Sequence, residues 1–388
     1  MFFNYRLFFQ QIFRSLFPGG RSDLRFGPNR MRFFVFFFIL FPWLWFFAYF
    51  GFLLDRIFFP GFRRQPVRRP VFILGNFRSG STMLQRLLAR DRANFSAIRS
   101  WEIYTAPSIS QRRMIQGIKV VDRWFGSPLY KRIMAWEERV LRQVKIHRIG
   151  VYEPEEDEGL FFYIWYSLFI WFFFPTSVEN ARFDRFDEVV REPRKRRIMR
   201  FYRNCIKRHL YARSRQSGRH YLSKNPSHTG RIDALLKEFP DARIIYLLRE
   251  PDEMISSSLS WFSFCWNYFT DPSDPYAHKE LILEMAEHFY SYPLQRLAAA
   301  PPENRLVVRY EALTGDVEKT VQEIYRHFGL TMTDEFRRAV SSAARRSRAY
   351  KSRHNHTLEN ARVSESQVEN LYRKPYRKFF RGLEKNAR

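Results

Sequence analysis

Apolar positions along this chain fall into three textures. Residues 33–54 form an unbroken run of 22 residues without a charge, dominated by Phe, Leu, Ile and Val. As a helix such a run is about 33 Å long, against a hydrocarbon core of about 30 Å. At roughly −0.3 to −0.6 kcal/mol for each such residue near the helix centre, insertion is favourable by about 5–10 kcal/mol at most, with Pro42 and Gly51 subtracting from it. A soluble core helix would leave bulky aromatics on every side, so the run is expected to meet lipid. It starts late, is long, and ends in Asp55-Arg56 without small residues, which does not fit a cleavable signal. The second texture is a set of short apolar runs at residues 71–74, around 95–98, at 221–224 and at 243–248. Helically spaced segments follow them, as in buried parallel strands of an α/β fold. The third is the aromatic stretch Leu160 to Pro175, whose 16 uncharged residues are marginal for spanning. It is expected to form a buried or membrane-contacting lid over an acceptor.

Both flanks of the 33–54 run are basic. Arg14, Arg21, Arg25, Arg30 and Arg32 precede it, and Arg56, Arg63, Arg64, Arg68 and Arg69 follow, so the positive-inside rule ties. Two arrangements satisfy this. One is a plain single span. The other is a re-entrant segment kinked at Pro42, with both flanks on the cytoplasmic face and the apolar residues of the first seventeen (Phe2, Phe3, Leu7, Phe8, Ile12, Phe13, Leu16, Phe17) in the interface.

The length of 388 residues allows one large α/β domain with an appendage. The net charge of +27, carried mostly by Arg, suits phosphate and sulfate groups or an anionic membrane. No nucleic-acid-binding signature occurs, and nucleic acid is not expected as a partner. Cys205 and Cys265 lack CxxC spacing, which speaks against a disulfide framework or a thiolate zinc site and for free thiols in a reducing compartment. Sequons at Asn94 and Asn355 keep a Golgi lumen open. The expected location is a bacterial inner membrane with a cytoplasmic active site.

After the basic linker, strand 71–74 leads into Gly75-Asn76-Phe77-Arg78-Ser79-Gly80-Ser81-Thr82 and then a helix. Backbone N–H groups of such a loop converge at a helix N-terminus and favour an anion. Gly75-x4-Gly80 matches the start of a nucleotide P-loop, but Ser81 stands where its Lys belongs and Arg78 supplies charge earlier. The run Arg78-Ser79-Gly80-Ser81-Thr82 resembles the 5′-phosphosulfate loop of the PAPS-dependent sulfotransferase superfamily, PAPS being 3′-phosphoadenosine 5′-phosphosulfate. Strand 243–248 ends at Arg249-Glu250-Pro251 and opens a helix carrying Ser257. This is similar to the family's 3′-phosphate motif, and an NTPase strand would end in an acidic metal ligand instead. Upstream, Lys224-Asn225-Pro226 at a strand end resembles the Lys-x-Pro element of the tyrosylprotein and bacterial branches, whose Lys is catalytic. Residues 305–313 and the helix to Leu330 resemble the closing strand and helix, so the likeness runs from about 70 to 330.

The resemblance implies a three-layer α/β/α fold with a central parallel sheet and a P-loop-like phosphate loop, behind an N-terminal membrane helix. It implies PAPS as co-substrate with no metal. Arg78, Ser79, Gly80, Ser81 and Thr82 would hold the 5′-phosphosulfate, and Arg249 and Ser257 the 3′-phosphate. Lys224 would stabilise the bridging oxygen, with Arg78 beside it. Glu102, reached as the chain returns through 95–98, is the expected base, with His228 as runner-up two residues beyond the family's offset. The acidic run Glu153 to Glu158 is either a solvated helix start or part of the acceptor site. The run Arg345, Arg346, Arg348, Lys351 and Arg353 either closes over the nucleotide or rests on headgroups. The expected organisation is a membrane-associated segment at 1–62, a catalytic domain at 63–335 and a basic extension at 336–388. The expected activity is sulfation of a lipid-linked or carbohydrate acceptor such as a glycolipid. A lipid or sugar kinase, or a non-catalytic protein binding anionic lipid, are the alternatives.

Overall fold

The computed structural model describes residues 2–17, 24–25, 27–141, 150–175, 178, 181–213, 218–272, 274, 276, 278–349, 363–374 and 377. Arg21, the Asn355 sequon, Lys351 and Arg353 lie outside them. Helices α1 (Tyr5–Leu16) and α2 (Pro28–Phe58) come first, with the short strand β1 (Leu24–Arg25) between them. Strand β2 (Val71–Gly75) feeds α3 (Ser81–Leu88); β3 (Phe95–Ala97) leads to α4 (Ser100–Tyr104), α5 (Ile109–Trp124) and α6 (Pro128–Trp136). The aromatic stretch holds the single turns α7 (Gly159–Phe162) and α8 (Ile170–Phe173), followed by α9 (Phe186–Val189) and α10 (Glu192–Ala212). Then come β4 (His220–Lys224), α11 (Ile232–Glu238), β5 (Arg243–Leu248), α12 (Pro251–Phe269), β6 (Asp271–Pro272), α13 (Lys279–Ala298) and β7 (Arg305–Arg309). Helices α14 (Tyr310–Gly315), α15 (Val317–His327) and α16 (Asp334–Ala349) follow, and the single turn α17 (Glu365–Val368) comes last.

Five strands form one parallel sheet in the order β3-β4-β2-β5-β7. The central strands read as near-continuous apolar runs because helices cover both faces. All five residues of β2 and all six of β5 are buried. One face packs on a cluster containing Phe72, Leu74, Tyr246 and Leu248, which continues into the aromatic stretch and α12. The other face carries Val71, Ile73, Ile245 and Leu247 against α3, α15 and α16. The strands at the centre, β4, β2 and β5, are those followed by Lys224, the glycine loop and Arg249. Ligands of open parallel sheets collect at such carboxyl ends.

Helix α2 lacks the bend at Pro42 that the re-entrant alternative required. It runs unbroken through Pro42 for 31 residues, about 46 Å at 1.5 Å per residue. It is docked on the sheet-bearing body at both ends and in the middle. At the start, the Arg30 backbone N–H donates to Asp271 (3.1 Å) and its guanidinium to the Phe173 carbonyl (2.6 Å). Midway, Trp45 and Tyr49 both donate to the Tyr163 carbonyl, at 3.2 and 2.9 Å. At the end, the buried Asp55 carboxylate accepts from the Ile109 and Ser110 N–H groups and from Arg208, at 2.9, 2.8 and 2.9 Å. The opposite side presents Phe36, Ile39, Leu40, Trp43, Phe46, Phe47, Phe50 and Leu53 to the exterior. Helix α1 lies beside it, with Asn4 N–H donating to Ile164 and Trp165 donating to Gln11.

Candidate active site

The loop between β2 and α3 bends sharply: Gly75 has φ +140°, Arg78 +65° and Gly80 +84°. A side chain at Gly75 would meet the Leu247 carbonyl oxygen at 2.4 Å, and one at Gly80 the Tyr310 ring at 2.7 Å. A left-handed Arg is sterically costly and persists only where the surroundings impose it. Here Arg249 does so, donating from Nη1 to the Arg78 carbonyl at 2.7 Å. The Arg78 guanidinium in turn donates to Ser257 Oγ at 3.0 Å. Three residues from the loop, the end of β5 and the second turn of α12 therefore meet at one point. Arg249 is stacked 4.2 Å over the Tyr310 ring, which fixes its plane. Ser79 is buried and donates to the Asn76 carbonyl, holding the loop's shape, while Ser81 and Thr82 open α3.

Lys224 ends β4, 1% exposed, and its ammonium pairs with Glu156. Glu156 and Glu155 line the same cavity as Arg78, Gly80, Ser81, Thr82 and Arg249. That cavity measures about 470 Å³, and its far wall is aromatic, including Phe169, Phe172, Phe173, Trp261, Phe264 and Phe269. Residues 160–175, expected to lie over an acceptor, contribute Phe169, Phe172 and Phe173 to this cavity. The stretch is largely buried, and its Phe residues form one wall.

The acidic run is not a solvated helix start, because Glu155 to Glu158 are all buried. Glu158 accepts two bonds from the fully buried Arg231, at 2.7 and 2.8 Å. Asp157 accepts from Tyr221 and Asn225 at 2.8 and 3.2 Å, and from Tyr202. Burial alone would raise the Asp157 carboxyl, but the bonds from His228, Tyr202 and Tyr221 outweigh it and hold the group below its usual range. This segment threads along the carboxyl end of β4 and presents Glu156 to Lys224. The signal available in the sequence was the density of carboxylates beside an apolar stretch in a basic chain; their partners lie 45 to 73 residues away.

Glu102 is placed elsewhere. Strand β3 is the sheet's edge, separated from β2 by β4, so the return through 95–98 does not reach the loop. The carboxylate is 2% exposed, caps α4 through the Arg99 N–H (2.8 Å) and takes both its oxygens to Arg213 at 3.0 and 3.1 Å. Burial would raise its pKa, but Arg112, His209 and Arg213 bring it down to about 2. A carboxylate so held is a weak proton acceptor, and it lines a different cavity. His228 is fully buried behind the Lys224 turn, its Nε2 3.1 Å from Tyr202 Oη, and does not line the aromatic cavity. Cys205 and Cys265 are free and buried. Among the described residues no group of three or more His, Cys, Asp or Glu is placed to hold a metal ion.

Fold, loop and converging cations together make a P-loop-like α/β protein with an anion-binding site at the carboxyl ends of its central strands. Residues 171–334 match the sulfotransferase family model, which supports a relation of this chain to that family. It is 23% identical over 273 residues to the omega-hydroxy-beta-dihydromenaquinone-9 sulfotransferase Stf3 of Mycobacterium tuberculosis and to that of Mycobacterium bovis. The match covers 67% of this chain and spans 63% of those relatives' length. The fold is similar to the crystal structure of sulfotransferase STF1 from Mycobacterium tuberculosis (TM-score 0.68, 22% identity, 95% of this chain and 92% of that one). It is also similar to that of STF9 from Mycobacterium avium (TM-score 0.65, 19% identity, 84% and 80%).

Proposed function

We propose that this chain transfers the sulfuryl group of PAPS to the hydroxyl of a lipid-linked acceptor, releasing PAP (3′-phosphoadenosine 5′-phosphate). The observation that carries this is one aromatic-walled cavity lined by Arg78 and Arg249, which cluster with Ser257, and by Glu156, which pairs with the buried Lys224. The loop fits the donor nucleotide: its Gly80 backbone is pressed against Tyr310, and Ser81 and Thr82 stand at a helix start. Arg78, Ser79, Gly80, Ser81 and Thr82 would hold the 5′-phosphosulfate, and Arg249 with Ser257 the 3′-phosphate, consistent with bidentate Arg recognition.

PAPS supplies an activated sulfuryl group on a phosphate leaving group. Glu156 takes the proton of the acceptor hydroxyl as that oxygen bonds to sulfur. The bond from sulfur to the bridging oxygen breaks, its electron pair stays on the phosphate, and the Lys224 ammonium stabilises that charge. Arg78 offsets charge on the same side. Glu156 thus takes the role expected of Glu102, because the geometry brings it to Lys224.

The aromatic wall favours a lipid-linked hydroxyl, and the relatives' named acceptor, an omega-hydroxy-beta-dihydromenaquinone, agrees with that class. The glycolipid expected from sequence has no support in either. Helix α2 carries an exposed apolar face while both its ends are pinned to one body. This supports a chain that lies in one face of a membrane rather than a single span, and it removes the tie between the two basic flanks. Residues 63–335 then form the catalytic domain on that platform.

The test is calorimetric titration of the detergent-solubilised protein with PAP, against ATP–Mg²⁺ and an Arg249→Ala control, followed by labelled-sulfate transfer into lipid extracts. Micromolar PAP binding lost in the variant, with lipid labelling, supports the reading. Tight ATP–Mg²⁺ binding without a response to PAP overturns it in favour of a kinase.

A further inference from the structure

The cavity that holds Glu102 is strongly basic. It measures about 920 Å³ and is lined by nine Arg or Lys side chains against two carboxylates, Glu102 and Glu153. Glu102 is already occupied by Arg112, Arg213 and the start of α4. The mutual repulsion is visible in the guanidiniums. Arg99 is held below its usual pKa first by burial and then by Arg213 and Arg92, although Glu102 opposes this. Two donors are unused within this wall. Arg112 is 1% exposed, and its Nη2 has no hydrogen-bond partner among the described residues; the same holds for the buried Trp101 Nε1. A buried donor left unmade costs about 1–3 kcal/mol, so a ligand oxygen supplied there is favoured.

A second cavity of about 620 Å³ adjoins it, and its lining is apolar, with Ile115, Ile118, Leu129, Ile133 and Trp136. Trp101, Lys119 and Tyr152 belong to both cavities. The Lys119 ammonium lies 4.3 Å from the Tyr152 ring and 5.0 Å from that of Trp101, at the boundary between charge and hydrocarbon. Helix α5 supplies Arg112, Arg113 and Lys119 to one cavity and Ile115 and Ile118 to the other. Its N-terminus is capped by Asp55 of α2, and its far end exposes Trp124 and Phe125, 78% and 77% accessible. Helix α5, which lines both cavities, is thus tied at its start to α2.

We propose that these two cavities form a binding site for an anionic phospholipid, separate from the catalytic cavity. The phosphate sits among Arg99, Arg112, Arg113 and Lys119, and an acyl chain lies between α5 and α6. A soluble phosphate would explain the basic half but leave the apolar half unused. Tyr104 lines both the apolar half and the catalytic cavity, so an occupant lies one side chain away from the acceptor wall.

The test is titration of the full-length protein, saturated with PAP, with short-chain phosphatidylglycerol, short-chain phosphatidylcholine and inorganic pyrophosphate. Thermal melting serves as the folding control. The expected result is phosphatidylglycerol binding that exceeds both other probes at least tenfold. It should fall at least tenfold in the triple variant Arg99→Ala, Arg113→Ala, Lys119→Ala, and independently in Ile118→Asp. Pyrophosphate binding as tightly as the lipid, with Ile118→Asp unchanged, overturns the lipid assignment in favour of a soluble polyanion. Equal binding of wild type and triple variant, with normal melting of both, overturns the site itself. PAP affinity measured on the same samples reports on the catalytic cavity alone, so failure of either reading is seen separately.

Discussion

Glu156→Gln separates the base from its surroundings. Glutamine keeps the size of the side chain and an oxygen facing Lys224, and removes the negative charge and the proton affinity. Loss of a positioned base slows transfer by about 10²–10⁴-fold, or roughly 2.7–5.4 kcal/mol at 1.36 kcal/mol per decade. The lost charge has a second effect, since Lys224 is 1% exposed and Glu156 is its ion-pair partner. Leaving a buried charge uncompensated costs about 3–5 kcal/mol. The free variant should melt several degrees lower than wild type, and PAP, which brings negative charge to the same cavity, should restore part of the loss. The assay is labelled-sulfate transfer to the lipid extract across a pH series, with PAP titration in parallel. The expected outcome is turnover reduced at least a hundredfold and PAP affinity held within about threefold, the latter because the Arg78, Arg249 and Ser257 contacts are untouched. Turnover within threefold of wild type, with PAP bound normally, would refute Glu156 as the base.

Three further outcomes are expected. Arg249→Ala removes a charge-assisted contact worth about 1.5–3 kcal/mol, so calorimetry should show PAP affinity roughly 10–150-fold weaker with a smaller change in turnover at saturation. Glu102→Gln should leave transfer near wild type and lower stability. A carboxyl held at about 2 against an ordinary 4.5 contributes on the order of 3 kcal/mol, present above the unfolded pKa and lost as pH falls toward 2. Denaturant melts between pH 7 and 3 should therefore be flatter in the variant. Trp43→Ser with Phe46→Ser and Phe50→Ser, all on the exposed face of α2, should shift the protein from sedimenting vesicles to the supernatant without changing PAP affinity.

The parts of this site visible in the sequence are those whose signal is local. Strand, glycine loop and helix stand within Val71 to Leu88, and Arg249 and Ser257 stand within one strand-helix turn. Their side chains meet because β2 and β5 are neighbours in the sheet. Strand order itself is not written locally, and that misplaces Glu102. A short strand after a phosphate loop can return to either side, and here it pairs with β4 at the edge. The acidic run failed to declare itself for a related reason. Five carboxylates within six residues read either as a solvated helix start or as part of an acceptor site until Lys224, Arg231, Tyr202 and Tyr221 are folded over them. The apolar, outward-facing character of α2 was legible in its run of residues. Its docking was not, since Arg30 and Asp55 look like ordinary charged ends until Asp271, Phe173 and Arg208 are known as their partners.

On the proposed function, the aromatic load follows from where a lipid-linked acceptor would come from. Phe33 on α2 stacks on Phe173 at 5.7 Å and meets Phe269 edge-on at 5.8 Å, and both of those rings line the catalytic cavity. A single layer of rings thus separates the lipid-facing helix from the space in front of Lys224 and Glu156. Drawing a lipid tail through water would cost about 0.8 kcal/mol for each methylene exposed, which for a long tail exceeds what any hydroxyl contact could return. If α2 rests in a membrane as proposed, an acceptor wall that is also its inner face would avoid that cost, because the tail would stay in apolar surroundings while its hydroxyl approaches Glu156. The donor is a water-soluble anion and needs the opposite access. The Arg78, Arg249 and Ser257 cluster meets that need at the polar end of the same cavity, beyond the aromatic wall.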